Sequence, residues 1–137
     1  MRLFLTALLG GLLSFGCGLA LVFVVTEWLP CLDDAGSCRM GEAFGYLGAI
    51  IYAPLAMAVF GLTAWRSASE RPIAIAALVL LAPIAAVLLI AVVRNGLPVN
   101  LVHERQALLQ FYAPPALIVA VQWAVLRAYI SRRASAQ

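Results

Sequence analysis

The sequence predicts an all-α integral membrane protein, a single domain (1–137) built as a bundle of four transmembrane helices, and three observations predict it. Hydrophobic residues make up 65% of the 137 and charged residues 11%, with a mean hydropathy of +1.03, whereas a soluble globule is about half apolar and about a quarter charged. The apolar residues fall into four runs, at about 3–25, 44–65, 73–93 and 107–126. Each run is near the ~20 residues that cross ~30 Å of hydrocarbon at about 1.5 Å per residue. The runs are continuous rather than alternating, which excludes a closed β-barrel and leaves helices, whose backbone groups are satisfied within the segment.

The first run differs from a secretory leader. Its apolar part is too long, its basic flank is the single Arg2, and no small-x-small cleavage site follows it. Ser14-Phe15-Gly16-Cys17 lacks the aliphatic residue of a lipoprotein cleavage box, so Cys17 reads as a buried free thiol. An outer loop at 26–40 follows and holds Cys31 and Cys38. The second run leads to a short polar inner loop at 66–72 (RSASERP), whose Pro72 suits the first turn of the third helix, where a missing N–H costs little. A second outer loop at 94–105 opens on the turn signal Asn95-Gly96. The fourth run ends in a polar tail at 127–137. Short links between antiparallel neighbours predict that helices 1 and 2 pack on each other, and helices 3 and 4 likewise.

Charge placement orients the bundle. All nine basic residues are arginine, and Arg2, Arg66, Arg71, Arg127, Arg132 and Arg133 fall on the side of the N-terminus, the 66–72 loop and the C-terminus. Only Arg39, Arg94 and Arg105 fall on the other side, together with Glu27, Asp33, Asp34, Glu42 and Glu104. The positive-inside rule places both termini in the cytoplasm. The all-arginine basic set and the alanine-rich helices suggest a bacterial coding sequence, and hence the cell inner membrane with periplasmic outer loops. The net charge of +3 is a topology signal. No basic stripe lies on a folded face, so no nucleic-acid partner is expected.

The chain carries an internal resemblance. At an offset of 68, Leu12, Leu13, Leu21, Val24, Val25, Leu29 and Pro30 match Leu80, Leu81, Leu89, Val92, Val93, Leu97 and Pro98. At an offset of 60, Tyr52-Ala53-Pro54 matches Tyr112-Ala113-Pro114. A duplication of one helical hairpin accounts for these landmarks, and so does convergent membrane composition. Under duplication the halves share orientation and are related by a pseudo-two-fold axis along the membrane normal.

Three sets of residues are candidates for function. Small residues at four-residue spacing mark helix 1 (Gly10, Ser14, Gly18), helix 2 (Gly41, Gly45, Ala49, Ala53) and helix 4 (Ala116, Ala120, Ala124). Such stripes let membrane helices approach closely, in this chain, in another copy or in another protein. Helix 3 is thick with Leu, Ile and Val and is expected to be the most lipid-facing. Tyr52 lies roughly 16 Å along helix 2 from Gly41 at about 1.5 Å per residue. Pro54 withholds a donor from the carbonyl of Ile50, as Pro114 and Pro115 do from those of Gln110 and Phe111. Tyr52, Pro54, Gln110, Tyr112 and Pro114 thus outline a candidate pocket lined by freed carbonyls and hydroxyls, or alternatively kinks that only improve packing. Finally, Cys31 and Cys38 (CLDDAGSC) suit a structural disulfide in an oxidising compartment. A redox enzyme would want Cys-x-x-Cys spacing and a depressed thiol pKa, and Asp33 and Asp34 work against the latter.

Other chemistries lack their residues. His103 is the single histidine, no set has zinc or calcium spacing, and no glycine-rich phosphate loop follows a strand. No catalytic residue, metal or cofactor is expected. No ionisable side chain lies in the middle of a span, which weighs against a pump or proton-coupled carrier. Trp28 at one boundary and Trp65, Trp123 and Tyr129 at the other form the interfacial aromatic belt. The reading is a non-enzymatic inner-membrane accessory or interaction protein with a disulfide-closed periplasmic loop, either a complex subunit or an immunity-type protein. Its partners are the lipid bilayer and another membrane protein or a second copy. The alternative is a small oligomeric transporter or channel using proline-kinked helices 2 and 4, and after it a membrane thiol-redox enzyme.

Overall fold

A computed structural model describes residues 2–29, 35–67, 69–95 and 101–136, without the side chains of 35–37, 95, 101–105 and 107. It contains four α-helices, α1 (Arg2–Trp28), α2 (Ala35–Arg66), α3 (Glu70–Asn95) and α4 (Leu101–Ser135). All four are long and apolar enough to cross a membrane. They overrun the apolar stretches at nearly every end. Most of the residues expected in the 26–40 and 94–105 loops, and the 127–137 tail as far as Ser135, are helical. Hydropathy marks where a chain is apolar, whereas helix hydrogen bonding continues through polar flanks rich in good helix formers such as the Arg127-Ala128 segment. The helices also continue through Pro54, Pro83, Pro114 and Pro115.

The arrangement is two helices flanking a central pair. α2 and α4 lie against each other, α1 packs on both from one side and α3 on both from the other. Among the described residues α1 and α3 do not touch. The contacts expected within each hairpin are present, α1 on α2 and α3 on α4, and α1 packs still more extensively on α4. A short link fixes which helices are neighbours, but the side chains at the interface decide how close they come. α1 presents Gly10, Gly11, Ser14 and Gly18, all buried, to α4 and α2. α3 has no comparable small-residue face, and 22% of its apolar span is buried against 33% in each of the other three.

The core runs through Ala7, Ala49, Ala53, Ala56, Phe60, Ile73, Ile118, Val119 and Leu126. Its many alanines reflect close backbone approach rather than large interlocking side chains. Outside, the bundle is clothed in large apolar residues, among them Leu5, Leu9, Leu12, Leu13, Phe23, Ile50, Leu62, Leu78 and Leu89. Trp65 stands 76% exposed beside Phe4, whose ring meets it edge-on at 5.8 Å, and Trp28 stands 82% exposed at the opposite end of α1.

Candidate functional site

The bundle interior contains a seam of uncharged polar side chains contributed mainly by α4. Gln106, Gln110 and Gln122 are all buried, and Gln110 and Gln122 are 1% exposed. They fall on one i, i+4 row of α4, with Pro114 and Ile118 at the two positions between, and at about 3.6 residues per turn that row winds slowly around the helix. Each glutamine meets a different partner. Gln122 Nε2 donates to Ser14 Oγ at 3.0 Å, and the Ser14 hydroxyl donates to the carbonyl of Gly11 at 2.8 Å. Gln110 Nε2 donates to Thr26 Oγ1 at 3.1 Å, and Thr26 donates in turn to the carbonyl of Val22 at 2.8 Å. Gln106 Oε1 lies 3.7 Å from Cys38 Sγ. The seam thus joins α4 to α1 near its middle and near its far end, and to the start of α2.

α1 and α4 run antiparallel in a fixed register. Gly10 faces Val125, Ser14 faces Gln122, Gly18 faces Ile118 and Thr26 faces Gln110. A methyl at Gly18 would lie 2.9 Å from the Ile118 side chain. Gly45 is under a stricter constraint, since a methyl there would lie 2.7 Å from the backbone oxygen of Gln110. That oxygen is the one Pro114 leaves without its helical donor. The proline's consequence is therefore a close contact between α2 and α4, made possible by a missing side chain. Gln122 Oε1 is buried and, among the described residues, has no hydrogen-bond partner.

The small-residue set divides into two groups. Gly10, Ser14, Gly18, Gly45, Ala49 and Ala53 are buried within this chain and Gly41 is half-buried against Gln110. Ala116 is half-buried, and Ala120 and Ala124 are exposed, with Ala128 continuing the exposed row. The α4 stripe therefore points away from the intrachain contacts, which α4 makes through Pro114, Pro115, Ile118, Val119, Gln122 and Leu126. Four-residue spacing alone cannot say which of several such faces on a helix turns inward.

The candidate pocket is also divided. Tyr52 and Tyr112 share a groove of about 280 Å³ between α2, α3 and α4, walled by Phe44, Pro83, Phe111 and Pro115. Pro54 is exposed outside that groove, and Gln110 and Pro114 are buried in the seam. The Tyr52 hydroxyl donates to the carbonyl of Leu80 at 2.7 Å. Leu80 adjoins Val79, whose carbonyl loses its donor to Pro83, so the tyrosine ties α2 to α3 at the weakened turn. Phe44 meets Phe111 at a tilt and Phe111 meets Tyr112 edge-on, with ring centroids 5.8 and 5.3 Å apart. Among the described residues the groove holds no ionisable side chain other than its tyrosines. Its chemistry is apolar contact.

Gln106, Gln122 and Thr26 were not singled out from the sequence. The available signal was glutamine recurring at helical spacing inside an apolar run. Cys31, and with it the structural disulfide, lies outside the described residues, and Cys38 sits in the first turns of α2. Cys17 is half-buried on α1 as a free thiol. Comparison with protein-family models, with curated proteins and with solved structures finds no match to this chain.

Proposed function

We propose that the chain is a four-span membrane protein that acts as a non-enzymatic accessory or interaction subunit, docking on a partner membrane protein through the small-residue face of α4. The observation that carries this reading is the separation of roles among similar residues. The glycines and serine of α1 and the glycine-alanine row of α2 are used up inside the chain. The alanine row of α4 has the same spacing and is turned outward. An outward row of small residues is the surface a second membrane helix packs on. The interior supports the same conclusion, because its described buried polar side chains are neutral and the amides of Gln110 and Gln122 donate to α1.

The proposal extends to placement. Arg2, Arg132 and Arg133 surround one cavity and Arg71 and Arg127 another, and Trp65 contacts Phe4 beside Arg66. This gathering of arginine at one end supports cytoplasmic termini in a bacterial inner membrane. A Cys31–Cys38 disulfide closes the periplasmic loop. A pseudo-two-fold axis along the membrane normal would exchange α1 with α3 and α2 with α4, and a central α2–α4 pair flanked by α1 and α3 fits it. The shallow packing of α3 is then divergence between the halves.

Purification in mild detergent, with mass analysis of what co-purifies, tests the reading. The expected result is one stoichiometric membrane partner, with Cys31 and Cys38 recovered as a bonded pair. Ala120→Leu should lose the partner while the chain itself stays folded. Gly45→Leu should fail earlier, at folding, because overpacking a close contact costs about 1–3 kcal/mol. A clean homo-oligomer whose solute flux changes with Tyr112→Phe would contradict the proposal and favour a conduit, and free thiols at both cysteines would remove the disulfide.

A further inference from the structure

The antiparallel register of α1 and α4 brings the first residue of one helix beside the last turn of the other. Arg2, Arg132 and Arg133 consequently surround a cavity of about 420 Å³, with Tyr129 as its remaining described wall. Three arginines from two helices thus line one space, and no carboxylate is among its described lining. The neighbouring cavity, about 300 Å³ between α3 and α4, is built differently. There Glu70 accompanies Arg71 and Arg127, and Arg127 lies 5.2 Å over the Trp123 ring. An acid and an arginine-bearing indole thus belong to its lining, whereas the described lining of the first cavity has neither.

We propose that the Arg2–Arg132–Arg133 cavity binds the phosphate of an anionic lipid headgroup. Planar guanidinium groups match phosphate oxygens in bidentate geometry, and basic pockets between membrane helices are where anionic headgroups are held. Tyr129 has the amphipathic ring suited to headgroup depth and a hydroxyl able to donate. Exposed Leu5 and Leu9 follow Arg2 along α1 and offer an apolar track for an acyl chain. A free anion would gain nothing from that track, so the lipid is the source of the phosphate.

The inference rests on the membrane-spanning reading. The test places the full chain in lipid nanodiscs of phosphatidylcholine, with and without phosphatidylglycerol, and reads retained lipid by native mass spectrometry. Phosphatidylglycerol should be retained in preference to phosphatidylcholine. Arg132→Gln/Arg133→Gln should lower that retention by at least tenfold, since one charge-assisted guanidinium–phosphate hydrogen bond is worth about tenfold or more. Arg66→Gln/Arg71→Gln removes the same charge from the same end and should lower retention clearly less, as neither residue lines the cavity. Equal loss in both double variants would mean diffuse attraction and overturn the site. Displacement of the lipid by millimolar inorganic phosphate would make it a soluble-anion site and overturn the lipid assignment. A chain that enters phosphatidylcholine discs but shows no lipid preference refutes this inference alone, whereas one that enters no disc refutes the membrane reading with it.

Discussion

Ser14 and Gln122 show how one buried polar pair can be asymmetric. Ser14 has two bonds, accepting from Gln122 and donating to Gly11, whereas Gln122 Oε1 has none. Removing the serine hydroxyl by Ser14→Ala strands the whole Gln122 amide in a buried site. A buried donor left without its partner costs about 1–3 kcal/mol. Gln122→Leu removes the stranded oxygen together with the amide, and Ser14 keeps its bond to Gly11. Interhelical bonds in membranes are worth about 0.6 kcal/mol on average, so Gln122→Leu should shift stability by under about 1 kcal/mol in either direction. Unfolding midpoints in detergent decide the matter, and a Gln122→Leu chain weakened as much as Ser14→Ala would contradict the account. The glutamines were the part of the interior least legible in the sequence. Hydropathy averages conceal a single polar residue, and only the pairing of Gln122 with Ser14 and of Gln110 with Thr26 shows that these residues set helix register. Gly45 was legible as a small residue, but its reason, the bare carbonyl of Gln110 four residues before Pro114, requires the fold.

At the scale of the element, α3 is the loosest helix, being least buried and, among the described residues, touching only α2 and α4. Its attachment includes one specific polar contact, the Tyr52 hydroxyl on the Leu80 carbonyl. Tyr52→Phe keeps the ring and deletes that bond, so it should loosen α3 locally at a cost within about 1.7 kcal/mol, the upper range for such bonds. Faster amide exchange in α3, with α1 and α4 unchanged, is the expected signature. Tyr112→Phe, whose ring sits among Phe111 and the groove walls, should leave exchange in α3 as it is. A uniform change across all four helices on Tyr52→Phe would contradict the local role. The existence, number and order of the helices were readable from four apolar runs. Their ends were not, since polar residues such as Arg132 and Arg133 are good helix formers that hydropathy assigns to tails. The lipid-facing character expected of α3 from its Leu-Ile-Val composition agrees with its shallow packing. Pro83, at the turn where Tyr52 attaches, was as visible in the sequence as Pro54 yet gave no hint of its partner.

For the whole molecule, an alanine-lined core, a neutral polar seam and an apolar exterior describe a bundle held together by close helix contact, with four helices long and apolar enough to cross a membrane. The outward alanines of α4 and the arginine-lined cavity beside Tyr129 are surfaces left over from that packing, and the proposed partner and lipid fit them respectively. Composition announced the class, and arginine placement suggested the orientation. Which small-residue row turns inward was not legible, because 10–14–18, 41–45–49–53 and 116–120–124 have the same spacing and differ only in what they meet. Both proposals depend on four crossings with the arginine-rich end in the cytoplasm, and topology reporters measure that most directly. Fusions after Ser69 and Gln137 should report the cytoplasm and a fusion after Asp34 the periplasm. A periplasmic signal at Gln137, with the other two as expected, would mean an odd number of crossings and would contradict the account.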